Sequence, residues 1–433
     1  MKKSKIVLSF DKMLIASIVG FAQCAIFMFP YVTFGFYKPL QDSLQCTNEQ
    51  LGFLMSLMGI MAVLCFLPGG WVADRVNPKK LIISGLVITG ICVFVCTIFV
   101  NYTVYCAMWI IMSIAGALLY WSAGMKIVRV NTDPDEQGKA YGYFYCVNNL
   151  CTAGANAVGS ALLVAFSASV LLGFKYYIIF LGALNFVAAI IVWKWVPLHQ
   201  ISKVKTDADE NDDGKICLKD LKYVLTRKET WLFAFVMFCL YGMTNIVTYF
   251  TPYFSDVMNL SVASAAIIFT VTGPLGAFCG PIMGTIADWF GSTLKAIVWV
   301  TLLTLVLLLV MVFVDTLTLT EAIAIDAAVS AISVGIYSIG FAAIEEIGME
   351  RRVAGTCIGV ASVIGYCPDV FMFAMYGKWL DIYENAGYKY IFIFGVTTAA
   401  VAVVCASWLF LIAKKKKLSV LKQTNVLHKD VPA

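Results

Sequence analysis

Charged residues make up only 13% of this 433-residue chain, and histidine occurs twice, at His199 and His428. Both histidines lie outside the apolar runs, which argues against a histidine zinc centre or a histidine proton relay. No phosphate loop of the G-x-x-x-x-G-K type is present, so no nucleotide site is signalled. No nucleophile–base pair or metal constellation stands out, and neither catalysis nor a cofactor is expected. The 14 cysteines could suggest a disulfide framework, but most of them, such as Cys65, Cys92, Cys146, Cys239 and Cys357, fall inside apolar runs. Free buried thiols are expected instead.

What the chain has in abundance is apolar residues: 61% of the total, with a mean hydropathy of +0.85. Runs of about 20 apolar residues, enough to cross ~30 Å of hydrocarbon at ~1.5 Å per residue, recur from end to end. Twelve spans are predicted, near 13–36, 50–73, 81–100, 104–127, 139–165, 174–196, 230–254, 262–287, 295–315, 320–347, 354–378 and 389–413. The first follows a basic start that looks like a secretory leader. Its apolar run continues through Phe36 with no small-residue cleavage site, so it reads as a retained helix.

Placing the amino terminus in the cytoplasm puts 27 of the 31 Lys and Arg residues on inner segments and leaves four, Lys38, Lys175, Lys378 and Lys389, outside. That asymmetry matches the positive-inside rule, with both termini cytoplasmic in a plasma membrane of bacterial type. The net charge of +5 then describes an inner rim facing anionic lipid; the partner is the bilayer and not a nucleic acid. Four regions follow: a six-span bundle over 1–196, a cytoplasmic linker over 197–229, a second six-span bundle over 230–413 and a basic tail over 414–433. Within the linker, 218–225 has helical apolar spacing and should lie along the membrane face. Asp209, Asn211, Asp213, Gly214, Ile216 and Asp220 match a calcium-loop spacing, but no entering helix precedes them and acidic linkers produce such spacings by chance. Asn101 and Asn259 satisfy the glycosylation pattern close to the membrane.

The halves echo one another. The charged stretch Gly70–Lys80 recurs as Gly284–Gly291, 214 positions later, and the pair Gly138 and Gly142 recurs as Gly355 and Gly359, 217 positions later. Glycines four apart allow close helix packing. Parallel repeats of this sort place a binding site near the membrane midplane between the halves.

With six plus six spans, a cytoplasmic central linker and a charged loop after the second span, the chain resembles the major facilitator superfamily. The loop follows that family's G-x-x-x-D-R-x-G-x-K signature at Gly70, Asp74, Arg75 and Lys79, with Asn77 where the family usually has glycine and Pro78 where a basic residue is frequent. The resemblance implies an all-α integral membrane protein of twelve transmembrane helices in two pseudo-symmetric six-helix bundles. It also implies that Gly70, Asp74 and Arg75 latch an inner gate, with Asp288 in the second copy. Asp74 could accept hydrogen bonds from the start of the eleventh span, and Arg75 could pair with Asp133, Asp135 or Glu136. Trp289 stands where the second copy would have an arginine, so the two latches should differ.

Charges at membrane depth are costly, and each is a functional hypothesis. Lys126, after Trp121, either attracts an anionic substrate or snorkels to the interface. The pattern resembles organic-anion and sugar-phosphate members, although the first span has no arginine of the kind that phosphate-exchanging members carry. Asp369, beside Pro368, is the first candidate for proton coupling and Asp326 the second; either could instead be structural. Glu345 and Glu346 precede Arg351 and Arg352 and suggest an inner charge cluster. Gln23, Tyr145 and Asn149 on the first and fifth spans, and Tyr241 and Asn245 on the seventh, lie on polar faces that either line a cavity or bind helix to helix. Thr248 and Tyr249 extend the face on the seventh span. These features predict a proton-coupled symporter for a small polar metabolite, an organic anion or sugar-derived acid. The alternatives are a proton-independent exchanger or uniporter and, more remotely, a transport-dead sensor.

Overall fold

The structure is a computed structural model that describes residues 9–133, 136–197, 218–314, 316–349 and 351–427. His199, His428, the calcium-like spacing at Asp209–Ile216 and Asp135 lie outside the described residues. Ten described helices are long and apolar enough to cross a membrane. Gln137–Ala165 has 29 residues but is not among the ten; its face of Asn148, Asn149, Thr152 and Asn156 dilutes the apolar run. The predicted span at 262–287 is divided into Val262–Thr272 and Leu275–Phe290 by Gly273 and Pro274.

Short polar turns start the helices. Thr47 and Gln50 form a reciprocal capping box before Asn48–Arg75, and Thr318 with Glu321 does the same before Leu319–Gly340. Asn101, the first glycosylation-pattern residue, is an N-cap, its side chain accepting the amide of Thr103 at 2.9 Å. Several spans are interrupted. The first runs as Phe10–Met28 and Thr33–Leu44, and the seventh as Lys228–Ile246, a 3₁₀ turn at Val247–Tyr249 and Phe250–Asp256. These two breaks lie at corresponding places in the two sequence repeats. The fourth span contains a seven-residue π-helical segment, Ala115–Trp121, between Tyr102–Ile114 and Ser122–Val130. Such segments are rare and concentrate at functional places.

Packing divides the chain into two compact units that do not coincide with the two sequence halves. The first comprises the described parts of 1–212 together with 247–277 and 369–388; the second comprises those of 213–246, 278–368 and 389–433. The first unit's core includes Val19, Ala22, Ile26, Leu86, Tyr120, Ile127, Phe144, Ala188 and Val192. In the second, Phe233, Met237, Leu240, Ile297, Ile336, Ala399 and Leu409 are packed together.

Candidate functional site

In the first unit the charged stretch is more helical than its sequence suggests. Asn48–Arg75 continues through it, the next helix, Pro78–Ile98, begins almost at once, and only Val76 and Asn77 lie between them. Asn77, at the family's usual glycine, is the N-cap: its Oδ1 accepts the amide of Lys79 at 3.0 Å, with Pro78 in the first helical position. The Lys79 ammonium is buried and donates to the carbonyls of Trp193 at 2.7 Å and Val196 at 2.6 Å, closing the C-terminal end of Val170–Trp195. Gly70 has open space where a Cβ would stand, whereas Gly69 is pressed against the Ala117 carbonyl of the π-helical segment, 2.9 Å from its would-be Cβ.

The Arg75 guanidinium lies 3.9 Å from the centre of the Trp71 ring, and among the described residues Asp133 and Glu136, two of the three carboxylates offered to it, are paired with Lys12. The Lys12 ammonium donates to Asp133 and, at 2.7 Å, to Glu136. Lys12, one residue before the predicted first span, carried no signal for this pairing. The neighbouring ammonium holds the Asp133 carboxyl below the usual carboxylate range. The side chain of Asp74 lies outside the described residues.

Lys126 donates to the Ala73 carbonyl at 3.1 Å, at the C-terminal end of Asn48–Arg75. It therefore reaches towards the charged stretch, a contact that neither sequence reading anticipated. Gln23 is half-buried, and its Oε1 is buried with no hydrogen-bond partner among the described residues. Tyr145 is exposed and edge-on to Phe144 at 4.8 Å. Asn149 accepts from Asn148 at 3.3 Å. Asp369 is buried on the first turn of Pro368–Tyr383, against Gly59 of Asn48–Arg75.

In the second unit, Tyr241 packs against the rings of Tyr337 and Tyr366, with centroids 5.2 and 4.8 Å away. Asn245, Thr248 and Tyr249 are buried, the last two in the 3₁₀ turn that interrupts the span. Asp326 is buried and accepts a hydrogen bond from Ser330 at 3.2 Å. Asp288 is exposed on the last turn of Leu275–Phe290, and Gly291 closes that helix at φ +63°. Glu346 accepts from the Ser292 hydroxyl at 2.6 Å and from the amide of Thr293, capping Thr293–Phe313. An unsatisfied helix N-terminus attracts the carboxylate. The side chains of Glu345, Arg351 and Arg352 lie outside the described residues.

Sequence reasoning missed a polar and aromatic assembly in the first unit, at the end that the charge asymmetry assigns to the outside. Asp381 accepts from the amide and side chain of Asn48 at 2.9 and 2.8 Å, and from the amide of Glu49 at 2.7 Å. Lys38 pairs with Asp256 at 2.9 Å, and the Tyr388 hydroxyl donates to Asp256 at 2.7 Å. Buried Tyr37, Tyr249 and Tyr376 are in ring contact, Tyr249 lying 5.9 Å from Tyr37 and 5.2 Å from Tyr376. The available signal was that acidic side chains stand in the few segments that the charge asymmetry assigns to the outside, but nothing in the sequence pairs them.

Membrane-length helices, several interrupted close to buried carboxylates and amides, define a polytopic transporter fold. The chain belongs to the Major Facilitator Superfamily, whose family model matches residues 19–371. It is 26% identical over 425 residues to the inner membrane protein YqcE of Escherichia coli K12, covering 93% of this chain and 95% of that one. It is 25% identical over 376 residues to the inner membrane protein YihN of the same organism, covering 85% and 88%. Among solved structures, nucleoside transporter NupG superposes with a TM-score of 0.69 at 13% identity, over 93% of this chain and 99% of that one. A bacterial homolog of the human lysosomal transporter Spinster, inward-facing and unoccupied, gives 0.68 at 16%, over 94% and 98%. At such identities the structural likeness shows the fold alone. The chain is a multi-pass membrane protein and a small-molecule transporter of this superfamily.

Proposed function

We propose that the protein moves a small polar metabolite, an organic anion or a sugar-derived acid, by alternating access coupled to protons. The observation that carries this reading is the pair of carboxylates buried in membrane-length helices, Asp369 at 5% exposure and Asp326 at 3%. A carboxylate in that setting is costly as a fixed charge, and gaining or losing a proton is the event that coupling requires. Gln23, with its unsatisfied oxygen, Lys126, Tyr145 and Asn149 are the substrate contacts proposed in the first unit, and Tyr241 and Asn245 those in the second. Lys126 supplies the positive charge that an anion needs. Gly70, Asp74, Arg75 and Asp288 are proposed to gate the inner side. Twelve spans with both termini in the cytoplasm complete the reading, supported by the charge asymmetry.

The test is uptake into proteoliposomes across a panel of organic acids and sugar acids, with and without an imposed pH gradient. Gradient-driven uptake of one compound, lost in Asp369→Asn while counterflow persists, is the expected result. Uptake that ignores the gradient and survives that substitution would exclude proton coupling through Asp369 while leaving transport standing.

A further inference from the structure

We propose that Asp381 is a gating residue, the latch that holds shut the outer end of the first unit and must release during each transport cycle. This rests on the alternating-access reading above. The Asp381 carboxylate sits on the N-terminus of Asn48–Arg75 and takes three hydrogen bonds there, from Asn48 N, Asn48 Nδ2 and Glu49 N. The first amides of a helix have no intrahelical partners, and the dipole favours an anion at that end. Asn48 is the hub, because its Oδ1 accepts from Gln41 at 2.8 Å and from the Tyr37 hydroxyl at 3.0 Å. One carboxylate thereby joins Thr33–Leu44, Asn48–Arg75 and Pro368–Tyr383.

Two features mark the contact as one built to part. The first is its backbone surface. A Cβ on Gly52 would lie 2.1 Å from the Phe373 carbonyl, one on Gly377 2.1 Å from the Asn48 carbonyl, and one on Gly59 2.4 Å from Asp369 Cβ. At the first two points the helices meet backbone to backbone, and at the third a glycine faces the short Asp369 side chain, so the helices can separate and close again with little repacking of rotamers. The second is the position of the hydrogen bonds. The Asp381 bonds are exposed, so water replaces them as the contact opens and their net worth is small enough for a cycle. The tyrosines Tyr37, Tyr249 and Tyr376 are buried in the same unit and block that end when the latch is closed.

The inference adds an outer counterpart to the inner gate that the family resemblance implies. The physical device is the one expected of Asp74, a carboxylate on a facing helix N-terminus, but it is found at the opposite end of the same span.

The test is hydrogen–deuterium exchange of the full-length protein in lipid nanodiscs, comparing wild type with Asp381→Asn, Asp381→Glu and Gly52→Ala. In Asp381→Asn, protection of outer segments 33–44, 247–256 and 368–383 should fall together by about tenfold, while protection of the inner segments 70–80 and 122–130 rises. Gly52→Ala deletes no hydrogen-bonding group but presses on the Phe373 carbonyl and forces the same helices apart, and should give the same pattern; Asp381→Glu should restore much of the wild-type pattern. Loss of protection confined to residues 48–51, or spread over both ends, would reduce Asp381 to a helix cap and overturn the proposal. Should Asp381→Asn fail to fold, Gly52→Ala decides the matter alone. If wild-type uptake proceeds while neither variant shifts the pattern, the latch fails and the transport reading stands.

Discussion

Gly59 and Asp369 touch so closely that a methyl group on Gly59 would lie 2.4 Å from the Asp369 Cβ. The proposed proton-coupling carboxylate is thus held by a position that accepts only glycine, on the span that ends in the family signature. Gly59→Ala should displace Asp369. Overpacking of this kind costs ~1–3 kcal/mol. Gradient-driven uptake should fall about tenfold or more while the amount of protein in the membrane changes little. Unchanged uptake with an unchanged pH response would separate Asp369 from coupling.

Lys79→Met should destabilise the first unit without touching the proposed substrate residues. It removes two charge-assisted hydrogen bonds to the carbonyls of Trp193 and Val196, each worth ~1.5–3 kcal/mol. The thermal unfolding midpoint in detergent should drop clearly, whereas the apparent KM for the transported compound should not move. A large KM change would assign Lys79 a role beyond closing the helix end.

Asp74→Asn should shift the population towards inward-facing states, by removing the charge that the family resemblance places on the inner gate. Spectroscopic distance measurements across the inner ends of the helices give the readout. Unchanged distance distributions would make the stretch Gly70–Lys80 an anchor only.

The Lys12–Asp133 contact should respond to acid in a definite direction. Lys12 keeps the Asp133 carboxyl below its ordinary range, so the pair's contribution is complete above the unfolded carboxylate value of ~3.9 and is lost as pH falls below it. Asp133 is exposed, and solvent screening keeps the effect small. The difference in unfolding midpoint between wild type and Asp133→Asn should be present near neutral pH, shrink as pH falls through the ordinary carboxylate range, and vanish once pH is below the lowered value of Asp133. A difference independent of pH would mean that the charge pair is not its origin.

Much of the architecture was legible in the chain because membrane insertion imposes a local rule: about 20 apolar residues per crossing, with basic residues kept inside. Most predicted spans have a corresponding membrane-length helix, and the amphipathic linker piece is present as Leu218–Thr226. Helix breaks were less visible. The 3₁₀ turn at Val247–Tyr249 carries no glycine and no proline, so the seventh span read as continuous. Pairings were least visible of all. The stacking of Arg75 on Trp71, the pairing of Lys12 with Asp133 and Glu136, and the capping of a helix N-terminus by Glu346 had no signal in the sequence.

From the sequence alone came the class of protein, its repeats and the residues whose burial must matter, because hydropathy, charge asymmetry and the signature at Gly70–Lys79 are read along one chain. Only the tertiary structure decided which partner each polar group takes. Asp381 and Asn48 are more than 300 positions apart, and their hydrogen bonds exist because glycines at 52 and 377 let two helices meet backbone to backbone. Hydrogen bonds of that kind depend on distances of a few tenths of an ångström between helices, a quantity that composition and spacing do not encode.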